Sequence, residues 1–112
     1  MGAGTYNITI DQGSDFALDM TVKESGVPRD LTGFQARAQI RTKKTSTALT
    51  AEFVCTVPDA VNGNILMSMD NAVTEALEPG RYFYDLEIYS AGDASVTRIL
   101  EGRAEVRAEV TR

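Results

Sequence analysis

The stretch Arg81-Tyr82-Phe83-Tyr84-Asp85-Leu86-Glu87-Ile88-Tyr89 decides the fold of this chain. Its side chains alternate in character, with one set comprising Tyr82, Tyr84, Leu86 and Ile88 and the other comprising Phe83, Asp85, Glu87 and Tyr89. A period of two is that of a β-strand, in which successive side chains point to opposite faces. We therefore expect the first set to face a core and the second set to face away from it.

The residues just before this strand predict a short helix. The segment Asp70 to Glu78 breaks the period of two, and Val73 and Leu77, four residues apart, would share one helical face. Asp70 is placed to cap the helix, and the Pro79-Gly80 pair that follows would end it.

The residues after the strand predict a hairpin and a last strand. Ala91-Gly92-Asp93 forms the turn, Ser95 to Glu101 the returning strand, and Gly102 a bulge or bend. The last strand, residues 103–111, would then place Ala104, Val106, Ala108 and Val110 inward and Arg103, Glu105, Arg107 and Glu109 outward.

The first half of the chain shows the same alternation in shorter runs. Inward-facing sets are expected at Tyr6, Ile8 and Ile10, at Phe16, Leu18, Met20 and Val22, at Phe34, Ala36, Ala38 and Ile40, at Leu49, Ala51, Phe53 and Cys55, and at Ile65, Met67 and Met69. Turn signals such as Asn62-Gly63 separate the runs. The sequence thus predicts an all-β, immunoglobulin-like antiparallel β-sandwich of seven or eight strands, with one short helix near residues 70–78 and one domain over residues 1–112.

Composition excludes several classes of function. The net charge of −5 and the pI near 4.6 argue against nucleic acid as a partner, which requires a basic face. No apolar stretch is long enough for a membrane span, and the first residues do not have the pattern of a secretory leader. The basic run Arg41-Thr42-Lys43-Lys44 is either a solvated loop or a charged contact with a partner.

Residue types suited to catalysis are scarce. The chain has no histidine, which removes the commonest general base and metal ligand, and its single cysteine, Cys55, is expected to pack inside. The carboxylate pairs Asp15 with Asp19 and Asp85 with Glu87 are interpreted as the solvated faces of half-buried strands. We therefore expect no enzyme activity, no metal and no cofactor.

Two groups of residues are candidates for contact with another protein. Phe83 and Tyr89 share a strand face with Asp85 and Glu87, and the row Arg103, Glu105, Arg107 and Glu109 alternates in sign. The row either guards an edge strand against unwanted pairing or forms an assembly contact, and the sequence leaves both interpretations open. We expect the first strand, residues 6–11, and the last, residues 103–111, to be the edges.

Four stretches together resemble small virion proteins of tailed bacteriophages. They are residues 6–16 (YNITIDQGSDF), 28–41 (PRDLTGFQARAQIR), 75–87 (EALEPGRYFYDLE) and 96–102 (VTRILEG), and they occur in the same order as in those proteins. The whole is similar to the N-terminal immunoglobulin-like domain of phage baseplate upper proteins.

The resemblance implies a non-enzymatic structural subunit or adaptor of a phage tail, baseplate or neck. Its partners would be other virion proteins, in multiple copies within a symmetric assembly, and it would reach the virion after synthesis in the bacterial cytoplasm. A decoration or adhesin-type module that binds a host glycan or protein is the alternative.

Overall fold

The computed structural model describes residues 4–43 and 50–110, in which ten strands and one α-helix follow one another. The strands are β1 (Gly4–Thr5), β2 (Ile8–Asp11), β3 (Phe16–Thr21), β4 (Lys23–Glu24), β5 (Val27–Pro28), β6 (Phe34–Arg41), β7 (Ala51–Asp59), β8 (Asn64–Met69), β9 (Gly80–Ser90) and β10 (Val96–Arg107). Helix α1 (Asn71–Ala76) precedes β9, and a 3-10 turn, Ala91–Asp93, joins β9 to β10. Three residues of the sequence predictions lie outside the described residues: Lys44 of the predicted loop, Leu49 of the predicted fourth strand and Thr111 of the predicted last strand.

Eight strands form one sheet that doubles back on itself. Its order is β1-β10-β9-β6-β7-β8-β3, with β2 also paired to β10, while β4 and β5 form a separate hairpin. Strand β7 joins the two layers, because residues 51–53 pair with β6 and residues 54–59 pair with β8. The ring of Phe53 lies 5.8 Å from that of Phe16 in β3 and 6.2 Å from that of Tyr84 in β9. These contacts between layers confirm the all-β sandwich.

Strand β9 behaves as its alternation predicts. Leu86 and Ile88 are fully buried, and Tyr82 and Tyr84 are nearly so. The opposite set is only partly buried. Because β6 and β10 pair with β9 on either side, its inward residues occupy the centre of the core.

The last strand differs from the prediction. Residues 96–107 form one continuous strand, and the irregularity in its pairing lies between Arg98 and Leu100, at Ile99, and not at Gly102. The strand ends at Arg107, so Ala108 and Val110, expected inside, are exposed. The alternation of apolar and polar side chains identified the inward-facing residues, but it did not show at which residue this strand stops pairing with its neighbours.

The last strand is also not an edge, which corrects a second expectation. It pairs antiparallel with β9 on one side and parallel with β1 and β2 on the other. The register places Ala104 beside Ile8 and Val106 beside Ile10, and these four side chains are buried. The N-terminal strands therefore cover the edge of β10, and the sheet ends at β1 with β2 on one side and at β3 on the other.

Helix α1 lies where the sequence predicts a helix but buries a different face. Val73 is 39% exposed, whereas Thr74 and Leu77 are buried. The Asp70 side chain makes no capping hydrogen bond; instead the backbone N–H of Asn71 donates to the carboxylate of Asp15 at 2.8 Å. Threonine faces inward because its hydroxyl satisfies backbone groups of the β2–β3 turn. No helix among the described residues is long and apolar enough to span a bilayer.

Candidate protein-contact surfaces

The outer side of strands β6, β9 and β10 forms a polar surface that we call the arginine face. Its members are Gln35, Arg37, Gln39 and Arg41 of β6, Arg81, Phe83, Asp85, Glu87 and Tyr89 of β9, and Arg98, Glu101, Arg103, Glu105 and Arg107 of β10. The strand registers align these residues in rows, such as Arg37 beside Glu87 and Arg103 beside Phe83. Because all of them point away from the core, they are available to another molecule.

Seven of the eight predicted contact residues meet on this face. The four on β9 are half-buried, and Arg103, Glu105 and Arg107 of β10 are exposed. Glu109 is the exception, since it lies past the end of β10, where its backbone N–H donates to the Gln12 side chain at 3.0 Å. The sequence predicted that residues 95–101 return beside β9, but not that residues 103–107 continue the same strand; this continuation joins the two predicted groups.

Arg37 is the centre of a network at one end of the face. Its Nε lies 2.5 Å from Oε1 of Glu87, and its guanidinium also approaches Asp93 at 3.5 Å. The same group stacks 4.4 Å from the centre of the Tyr89 ring, whose hydroxyl donates to Gln35 at 2.9 Å. The hydrogen bond to Glu87 raises the pKa of Arg37 above its ordinary value, and the guanidinium lies between two carboxylates and an aromatic ring.

Asp85 lies at the centre of the face, in a shallow groove of about 450 Å³. Burial raises the pKa of this carboxyl above its ordinary value, and the guanidinium of Arg98, 3.3 Å away, acts in the opposite direction. Phe83 and Arg41 line the same groove. The groove therefore presents a partly desolvated carboxylate beside arginine and an aromatic ring, a combination suited to a charged protein surface.

Charge is unevenly distributed over the molecule. Six of the eight arginines of the sequence lie on the arginine face, together with only four of its sixteen carboxylates. Asp11, Glu52 and Asp93 border the face and contact Arg107, Gln39 and Arg37, so its arginines lie among carboxylates. A patterned surface of both signs favours a partner whose charges are complementary to it.

A second surface, which we call the edge groove, lies where the two ends of the sheet approach each other. It is a cleft of about 590 Å³ between β3 on one side and β1 with the start of β10 on the other. Its lining includes Leu18, Met20, Ile99 and Leu100, all of which are only partly buried. Sequence analysis missed this surface, because alternation in β3 predicts an inward face but does not show that its outer edge lacks a neighbour.

The cysteine and the remaining carboxylates that the sequence analysis considered lie apart from one another in the described part of the chain. No group of three or more cysteine, aspartate or glutamate residues in residues 4–43 and 50–110 is arranged to hold a metal ion. Burial raises the pKa of the Cys55 thiol to about 11, so it is not a nucleophile near neutral pH. Asp15 and Asp19 are separately engaged, by Asn71 and Asn64.

Comparison with known proteins identifies a similar fold. No family model matches the chain, and no curated protein sequence matches it. Among solved structures, the N-terminal domain of phage TP901-1 ORF48 superimposes with a TM-score of 0.58 at 12% sequence identity. The match covers 96% of this chain and 99% of that domain. The chain therefore shares its fold with a complete domain of a phage protein.

Proposed function

We propose that the chain is a non-enzymatic structural subunit or adaptor of a phage tail, baseplate or neck, and that it acts by binding other virion proteins. The observation that carries the proposal is the fold match to the phage TP901-1 domain over nearly the full length of both chains. The four stretches that resemble phage virion proteins point in the same direction.

The surface of the molecule supports the same role. The arginine face carries six arginines, and three of them, Arg37, Arg98 and Arg107, form ion pairs with carboxylates on neighbouring strands. Such an array restricts the orientation of an acidic partner and rejects partners of the wrong charge. Multiple copies in a symmetric assembly can use this face against a complementary surface of a neighbouring copy.

A glycan-binding module receives less support. Sugar recognition uses an aromatic ring whose face is open to the ligand, but the guanidinium of Arg37 covers the Tyr89 ring. Phe83 is half-buried within the groove beside Asp85. The aromatic residues of the arginine face thus support the charged surface and do not form a platform.

The test is incorporation into particles made by a phage that encodes the chain. The double variant Arg103→Glu/Arg107→Glu reverses two exposed charges on the arginine face, and we expect its copy number per purified particle to fall about tenfold or more. The control variant Arg103→Lys/Arg107→Lys keeps both positive charges at the same positions and should be incorporated normally. Circular dichroism of the free variants checks that both fold.

The copy number is measured by quantitative mass spectrometry against a known virion protein. Absence of the wild-type chain from purified particles contradicts the proposed function. Normal incorporation of the double variant removes the arginine face from the interface. Normal incorporation together with saturable binding of a host glycan by the free protein favours the adhesin-type alternative.

A further inference from the structure

We propose that the free edge of β3 takes up an extended strand of a partner protein, whose apolar side chains fill the edge groove. This inference deepens the proposed function, on which the identity of the partner as a virion subunit rests. Three features of the edge carry it: the direction of its backbone groups, the half-buried side chains next to them, and the charge at its centre.

The backbone of β3 exposes three hydrogen-bonding positions in a row. Among the described residues, β3 pairs with β8 alone. Just beyond β3, the N–H of Val22 donates to the carbonyl of Gly63 at 2.8 Å, on the side of β8. In an antiparallel ladder successive residues point their N–H and C=O groups to opposite sides. The groups of Ala17, Asp19 and Thr21 therefore point away from β8, toward the free edge.

The side chains beside this edge lack a complete cover. Leu18 and Met20 point inward from β3 but are only partly buried, in contrast to the fully buried Met67 and Ile65 opposite them in β8. Across the edge groove, the Tyr6 side chain is 50% exposed. A strand added to β3 would direct every second side chain into this groove, as in β-strand addition, and would cover these residues.

The charge of the edge indicates what kind of strand fits. The exposed side chain of Asp19 lies at the centre of the three open positions and is oriented by the amide of Asn64. A second copy paired antiparallel, with Ala17 beside Thr21 of the other copy, would place the two Asp19 carboxylates opposite each other, which disfavours self-pairing. Lys23 and Arg98 also line the groove, so a basic side chain of the occupant is matched only at the position opposite Asp19. The occupant is therefore a strand of alternating apolar residues with lysine or arginine at that position.

The probe is a synthetic nine-residue peptide, acetylated and amidated, that alternates threonine with valine and carries lysine at its central position. We expect it to slow amide hydrogen exchange of Ala17, Asp19 and Thr21 by about tenfold or more. A control peptide with glutamate in place of the lysine should bind about tenfold more weakly. Asp19→Lys should reverse this preference, so that the glutamate peptide binds better.

A proline substitution tests the backbone contribution separately. Thr21→Pro removes an N–H that points to the free edge and leaves the bonds to β8 in place, so the fold should persist while peptide binding is lost. Thr21→Val keeps the N–H and should still bind. If Thr21→Pro does not fold, the charge reversal at Asp19 decides alone.

Unchanged exchange at the three amides with saturating lysine peptide overturns the inference. So does protection of these amides that grows with protein concentration in the absence of peptide, because the occupant is then a second copy. The result of the peptide experiment can be distinguished from the result of the incorporation experiment that tests the proposed function. Peptide binding by a chain that is absent from particles leaves the inference standing, and normal particles without peptide binding leave only the proposed function.

Discussion

Replacing Thr74 with valine tests how the short helix is held to the sheet. Thr74 is fully buried, and its hydroxyl accepts a hydrogen bond from the N–H of Gly13 at 3.1 Å. The same hydroxyl lies 2.9 Å from the carbonyl of Ser14 and 3.1 Å from that of Asn71, and its one proton is donated to this pair of acceptors. Valine has nearly the same shape, so the substitution opens no cavity and removes only these two hydrogen bonds.

The expected loss follows from that count. A hydrogen bond contributes about 0.5–1.5 kcal/mol net, so we expect the free energy of unfolding to fall by about 1–3 kcal/mol. Urea unfolding followed by circular dichroism measures it, since the chain has no tryptophan. The control, Thr56→Val, replaces an exposed threonine of β7 and should stay within about 0.5 kcal/mol of wild type. Equal small losses in both variants would refute the role assigned to Thr74.

Three further predictions concern the core, a close approach of the backbone, and a titration. Leu86→Ala should reduce the free energy of unfolding by about 2–5 kcal/mol in urea, because Leu86 is fully buried, while Asp85→Ala on the opposite face should cost much less; equal losses would mean the facing is wrong. Gly102→Ala would place a methyl group against the carbonyl oxygen of Tyr6 and should weaken the pairing of the N-terminal strands with β10. Limited proteolysis should then cleave the N-terminal strands faster than in wild type, and an unchanged cleavage rate would contradict this prediction. Arg98→Ala should raise the pKa of Asp85 further, as followed by NMR titration of its carboxyl carbon, and a lower pKa would contradict the ion pair. Because the folded-state pKa of Asp85 exceeds the unfolded one, its contribution to stability falls as pH rises between the two values.

Facing directions were predictable from the sequence because they depend on local alternation. Leu86 and Ile88 of β9, and Met67 and Met69 of β8, are buried as their positions require. A strand whose two faces meet different surroundings must alternate in this way, whichever strands lie beside it. The short helix was predictable too, since it interrupts that period and is followed by Pro79-Gly80.

Pairing between distant strands was not predictable by the same means. Residues 103–107 have the charge pattern of a guarded edge, yet β2 lies beside them, because the buried Ile8 and Ile10 require that position. The edge groove was missed for the converse reason. Leu18 in β3 has the same alternating context as a core residue, and only the sheet order reveals that its strand has one neighbour.

The parallel pairing of β2 with β10 has a consequence for how the chain folds. The backbone N–H of Arg103 donates to the side chain of Asn7, 96 residues away in the sequence. During synthesis, the N-terminal strands lack their pairing partner until residues 96–107 have left the ribosome. Closing so large a loop costs entropy before any contact compensates for it, so folding should be slow compared with a helical protein of this size. A nascent chain that lacks residues 96–107 should expose Ile8 and Ile10 and be bound by chaperones.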